Sequence, residues 1–293
     1  MLRDARARRL AAAGAVFIAI QLESDIVRAQ SPHQILDAVG LEVVSVEDSS
    51  SYSVYRYHIV NPASSRGGVA EVTLDLSAAR GTGHERLQFT GHLFPHAAGE
   101  GEHVPFGGIA PDRWEMLVVK AGLDWHVDQV ILRDGGPPVS SDSAAPGGVK
   151  GGFGVRSPYL PGIRSFSAVP TEQSCCSEPN ARGELPNSST FRARGWTVAP
   201  SVRPQDMSLT VLESDLVQAC GSLRWITDTA VCGNLRSNLE RAIASQESDR
   251  PAAKGLLRTF LDELEAQHGP GKPVNDNAYW LLKVNAEYLL AHM

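Results

Sequence analysis

The chain has 293 residues, 42% hydrophobic and 20% charged, with a formal net charge of −6, which is enough apolar content for a real core and excludes a wholly disordered chain. This length makes one large domain or two of ordinary size, and two are expected. The 27 basic residues are set against 33 acidic ones and form no dense Lys/Arg patch interleaved with aromatics, which argues against a nucleic-acid partner.

At the N-terminus, Arg3, Arg6, Arg8 and Arg9 precede the apolar run from Leu10 to Ile20, and Val27-Arg28-Ala29 places small side chains at the −3 and −1 positions of a cleavage site. This order predicts a signal peptide over residues 1–29 and a secreted, periplasmic or cell-surface protein. A run of about 11 apolar residues is too short for a permanent transmembrane helix, and no later stretch is longer, so no membrane span is expected.

Residues 30–205 have strand character. Ser51 to Val60 alternates Tyr52, Val54, Arg56 and His58 against Ser53, Tyr55, Tyr57 and Ile59, then stops at Asn61-Pro62, a turn signal. Val69 to Leu76, Arg113 to Ala121 and Leu123 to Leu132 follow in the same style, as do GGFGVRS, IRSFSAVP and FRARGWTVAP. Short strands separated by Gly/Pro turns with no helix between them predict an antiparallel β-sandwich of immunoglobulin or fibronectin type. Asp134 to Gly148 reads as a long flexible connection within it, and Ser201 to Asp206 as the linker out of it.

Within this domain His84, His92, His96 and His103 stand near Glu100 and Glu102 in a Gly/Pro-rich stretch. Imidazoles with a carboxylate suit zinc or copper. Pro95 between His92 and His96 removes the helix that would align them, so solvated loop histidines are the reading preferred, and no cofactor is expected. Arg156 and Arg164 offer guanidinium forks for a carboxylate, against the plainer reading that they satisfy buried carbonyls. Trp114, Trp125 and Trp196 are candidates for a sugar-stacking surface, against the reading that aromatic residues on strands are more often core. Glu71 with Asp75, and Asp124 with Asp128, place carboxylates on one face of a strand, the raw material of a glycoside hydrolase.

From residue 206 the period becomes 3.6. Leu209, Leu212, Leu216, Ala219, Cys220 and Leu223 share a face, with Thr210 and Glu213 at capping-box spacing. Leu235, Leu239, Ala242 and Ile243 make a second stripe. Leu256, Leu257, Phe260, Leu261 and Leu264 make a third, ended by Gly269-Pro270, and Leu281, Val284, Tyr288 and Leu289 a fourth. Four amphipathic helices over 206–293 predict a small bundle closing on its own apolar stripes. Of the four cysteines, Cys220 and Cys232 end one stripe and begin the next, where a disulfide would staple two helices. Cys175 and Cys176 are adjacent and form either a vicinal bridge or free thiols.

Asn234, Leu235, Ser237, Leu239 and Ala242, then Ala253, Leu257, Phe260, Leu264, Ala266-Gln267 and Gly269, then Ala278, Leu281, Leu282, Ala286 and Leu289 resemble the FIMAH domain, a helical module at the C-termini of secreted bacterial proteins. His268-Gly269-Pro270 departs from its usual A-Q-x-G-K region. The resemblance implies attachment or interaction and no catalytic residues. Tyr55 to Pro62, Ala110 to Trp114 and Gly152 to Arg164 resemble extracellular sandwich modules more faintly, and imply no activity.

The expectation is thus an exported α+β protein, a β-sandwich followed by a helical bundle, that binds a cell-surface glycan or another secreted protein without catalysis. An extracellular hydrolase, glycoside-type or metal-dependent, with its site in the β domain is the alternative. No G-x-S-x-G elbow, H-E-x-x-H, Walker loop or dinucleotide fingerprint is present.

Overall fold

The computed structural model describes residues 36–48, 52–75, 107–109, 114–121, 126–134, 143–170 and 193–293, with only the backbone course for residues 107–109, 114–121 and 126–134. Nine strands precede four helices among these residues. Strands β1 (Gly40–Asp48), β2 (Ser53–Val60), β7 (Val149–Ser157) and β4 (Gly107–Ile109) form one sheet in the order β1-β2-β7-β4. Strands β5 (Trp114–Ala121), β6 (His126–Asp134), β3 (Val69–Asp75), β8 (Leu160–Pro170) and β9 (Ala193–Val202) form the other in the order β5-β6-β3-β8-β9. Every pairing is antiparallel.

The alternation expected in β2 holds from Tyr55 onward, with Tyr55, Tyr57 and Ile59 buried and Arg56, His58 and Val60 half-exposed, but Val54 on the expected outer row is buried beside Ser53. The turn after it is fixed by a side chain, since Asn61 Nδ2 donates to the carbonyls of Gly67 at 3.0 Å and Ala144 at 2.8 Å. Residues 143–148, the end of the expected flexible connection, are tied into that turn through Val69 N–H to Ala144 O at 2.9 Å and Gly147 N–H to Asn61 O at 2.8 Å.

Beyond β9, a single 3-10 turn at Pro204–Asp206 leads to α1 (Leu209–Cys220), α2 (Thr229–Ser245), α3 (Arg250–Ala266) and α4 (Asp276–His292). Ser201 and Val202, expected in a linker, are the last residues of β9 and are buried. Each helix start is capped by a short polar side chain, as the orphan N–H groups of a first turn require. Ser208 accepts from Val211 N–H, Asp228 from Ala230 and Val231, Asp249 from Ala252, and Asn275 from Ala278. The capping box expected at Thr210 is therefore two residues late. Burial of Leu209 brings it into the first turn, so the cap falls to the serine before it.

The helices do not close on themselves alone, which corrects the expectation of a bundle built only from its own stripes. Helix α4 contacts β1, β8 and β9 as well as α1 and α3. It buries Asn277, Ala278, Tyr279, Leu281, Leu282, Asn285, Ala286 and Leu289, far more than one narrow stripe. Among the described residues β1 and β9 are each the edge of their sheet and lie against one another, so α4 covers the seam where these two edges meet. Two buried asparagines key it there. Asn277 Oδ1 accepts from Val43 N–H at 3.0 Å, beside the register shift between Val43 and Ser45, and Asn285 Nδ2 donates to Pro161 O at 3.0 Å. Residues Ile35–Met293 accordingly form one compact unit, with sheets and helices sharing a single hydrophobic cluster.

Candidate functional site

Three neighbouring strands build a groove from alternate residues. The antiparallel register sets Thr73 opposite Ser167 and Ser167 opposite Arg194, and sets Ser165 opposite Trp196. Asp75, two residues beyond Thr73, accepts from Ser165 Oγ at 3.4 Å. Because side chains alternate faces along a strand, β3, β8 and β9 present two parallel rows on one face, Asp75–Ser165–Trp196 and Thr73–Ser167–Arg194. The hollow they line has a volume of about 570 Å³, within the usual range for small-ligand sites.

Glycine makes the middle of this site possible. A Cβ on Gly195 would come within 2.6 Å of Phe166 Cε1 and Cζ. Gly195 therefore lets the Phe166 ring lie across β9 on the opposite face, which holds Arg194 and Trp196 at their places in the rows. Arg194 is exposed and Trp196 half-buried. The resulting chemistry is one indole surface, one carboxylate, three hydroxyls and one guanidinium. An indole takes the apolar face of a pyranose ring, the carboxylate accepts from sugar hydroxyls, and the guanidinium donates to oxygen.

Of the sequence-predicted residues, Trp196 and Asp75 line this groove, and among the other described ones Arg156, Arg164 and Glu71 do not. Arg164 projects to the opposite face of β8 at 1% exposure, and its Nε donates to Ser201 Oγ at 2.8 Å. Burial lowers its pKa to about 10, partly offset by the charge of Asp75, so it remains a cation inside the fold. Arg156 is exposed on β7 of the other sheet, its guanidinium carbon 5.9 Å from the Tyr52 ring centroid, and the two arginines form no joint clamp. Trp114 begins β5, in register with Asp134, and its side chain lies outside the description. Trp125, His84, His92, His96, His103, Cys175, Cys176 and Asp124 lie outside the described residues. Among the described residues no group of three or more His, Cys, Asp or Glu side chains could hold a metal ion.

The carboxylate pair Glu71 and Asp75 lies on one strand with Thr73 between. Four strand residues separate their Cα atoms by about 13 Å. Glu71 is 8% exposed, so it is closed to solvent while Asp75 lines the groove.

The helical side carries three further features. Cys220 and Cys232 are bridged, with Cα atoms 6.0 Å apart. At the α3–α4 turn, His268 Nε2 lies 2.7 Å from Asp276 Oδ1 and its ring stacks on Tyr279 at 3.8 Å between centroids. Lys283 Nζ donates to Tyr279 Oη at 2.9 Å, and this bond, with Glu287 and Glu265 nearby, raises the lysine pKa. The cluster pins the turn around His268-Gly269-Pro270 between α3 and α4. Third, Asp215 of α1 is 0% exposed, both its carboxylate oxygens lack a hydrogen-bond partner among the described residues, and burial raises its pKa to about 8. Sequence reasoning missed it, although the signal was present, since Asp215 falls on the same helical face as Leu212 and Ala219.

Comparison with known proteins adds little to this geometry. No protein-family model matches the chain, and no curated protein does. Among solved structures it is similar to an uncharacterized protein from Nocardia farcinica described as having an immunoglobulin-like fold, at 12% identity and a TM-score of 0.29. The match covers 56% of this chain and 97% of that one, a likeness too slight to extend the fold described above. Among the described residues no helix is long and apolar enough to cross a membrane.

Proposed function

We propose that this chain is an exported, non-catalytic binding module that holds a glycan in the β3–β8–β9 groove. The observation that carries the reading is the pair of cross-strand rows, Asp75–Ser165–Trp196 and Thr73–Ser167–Arg194. They set an aromatic platform beside hydrogen-bonding groups of both polarities. The Cys220–Cys232 disulfide supports an oxidising compartment, in keeping with the basic, apolar and small-residue order of residues 1–29. In this reading the two sheets are an immunoglobulin-type sandwich, and the helices are a FIMAH-like module fused to it, which serves attachment at the cell surface.

Two experiments test the proposal. Intact mass of the exported chain should show cleavage after Ala29, and a chain still beginning at Met1 in the cytosol refutes export. A screen of the exported chain against neutral and acidic glycans and cell-wall polysaccharides should give binding that Trp196→Ala removes. Absence of binding to every class, or release of sugar from a bound one, refutes a non-catalytic glycan module. In the second case, loss of release in Asp75→Asn would identify the groove as a hydrolase site.

A further inference from the structure

A second hollow, of about 610 Å³, opens between α1 and α2 on the helical side. Its walls include Leu216, Val217, Ile226 and the Cys220–Cys232 bridge, and Arg224 and Arg236 also line it. Val217 is 47% exposed, one of the few large apolar side chains left open among the described residues. The buried face of α1 consists of Leu209, Leu212, Asp215, Leu216 and Ala219, so Val217 stands outside the core stripe and contributes apolar surface to the hollow instead.

The charges at this hollow are unequal in availability. Arg236 Nε is held by Glu240 Oε1 at 2.8 Å. Arg224 is exposed, adopts a left-handed backbone with φ of 54°, and has no hydrogen-bond or ion-pair partner among the described residues. The neighbouring acid, Asp228, is engaged by its own helix, its Oδ1 accepting from Ala230 N–H at 2.7 Å and Val231 N–H at 3.2 Å. An apolar bed with one uncommitted cation is complementary to a monoanion with an apolar body.

Size narrows the occupant further. A protein partner engages roughly 20–30 residues a side, and this hollow is lined by only 11. A bilayer surface is met by protruding apolar side chains, whereas this surface is concave. The volume is that of a small-molecule site. We propose that the α1–α2 hollow binds a free medium-chain carboxylate, with its head on Arg224 and its chain along Val217, Leu216, Ile226 and the disulfide sulfurs.

Isothermal titration of the full chain with dodecanoate, below its micelle concentration, tests this, with dodecanol as the uncharged analogue. Dodecanoate should bind at least tenfold tighter than dodecanol, the difference expected of one charge-assisted contact. Arg224→Gln should remove that difference and leave dodecanol binding unchanged. Val217→Asp should weaken both ligands at least tenfold, and Trp196→Ala should affect neither, which separates this site from the glycan groove. Both Arg224 and Val217 are open to solvent, and circular dichroism of each variant confirms that it folds; if Val217→Asp does not, Val217→Asn replaces it. The proposal is overturned by no dodecanoate binding, by equal binding of acid and alcohol, or by affinities unchanged in both hollow variants.

Discussion

Replacing Asp215 by asparagine should stabilise the protein at neutral pH and leave it nearly unchanged at pH 4. The carboxyl is fully buried with no partner on either oxygen among the described residues, and burial raises its pKa from 3.8 to about 8. Between those two values the folded chain keeps the proton that the unfolded chain releases. Stability therefore falls as pH rises through that window, and the contribution is intact only below it. Each unit costs about 1.4 kcal/mol, so by pH 7 the loss is about 4.4 kcal/mol, an upper figure because water entry or local rearrangement would relieve part of it. Asparagine keeps the size and removes the ionisation. The difference in unfolding free energy between the two proteins, measured in urea from pH 4 to pH 8.5, cancels the titration of every other group and isolates this one. It should grow by one to several kcal/mol across the range in favour of Asp215→Asn. A difference independent of pH, or a variant less stable than the parent at pH 7, would refute the assignment of a neutral carboxyl inside α1.

Asn277→Ala leaves the Val43 N–H without its partner and should cost about 1–3 kcal/mol in urea unfolding; an unchanged midpoint would mean that the asparagine does not key α4 to the β1 edge. Residues 204–293 expressed alone should be helical by far-UV circular dichroism but melt without a sharp transition, since the face of α4 that meets the sheets is then exposed to water; a cooperative melt matching that of the full chain refutes the shared core. Cys220→Ala should lower stability by about 3 kcal/mol on the chain-entropy model for a loop of 12 residues, read as a shift in the thermal midpoint relative to the oxidised parent, and no shift would deny the bridge a stabilising role.

Local pattern carried much of the fold. The period of two in Ser53–Val60 and the period of 3.6 from Leu209 onward are written within single elements, and so is the placement of Cys220 and Cys232 at the facing ends of α1 and α2. What escaped depends on partners far along the chain. Asn277 and Asn285 look like ordinary polar positions of an amphipathic helix, and only the seam between β1 and β9 gives them backbone groups to bind. Arg164 is buried, in keeping with the plainer of its two readings, but its Nε donates to the Ser201 hydroxyl, a partner 37 residues along the chain that β8 alone does not declare. The groove is the extreme case. Asp75 and Trp196 are brought together through Ser165, and nothing near any of the three announces the register that aligns them. Asp215 differs, since its position on the Leu212–Ala219 face was visible and a carboxylate there went unremarked.

The account stands most directly on the groove as a glycan site, and the most direct measurement is the affinity of the exported chain, by isothermal titration, for the strongest glycan ligand from the screen. Trp196→Ala and Arg194→Gln are compared with the parent. Loss of an aromatic platform should reduce affinity about fivefold or more, in line with about 1 kcal/mol for one aromatic contact, and Arg194→Gln should weaken acidic glycans more than neutral ones. Affinities within twofold of the parent for both variants would contradict the site.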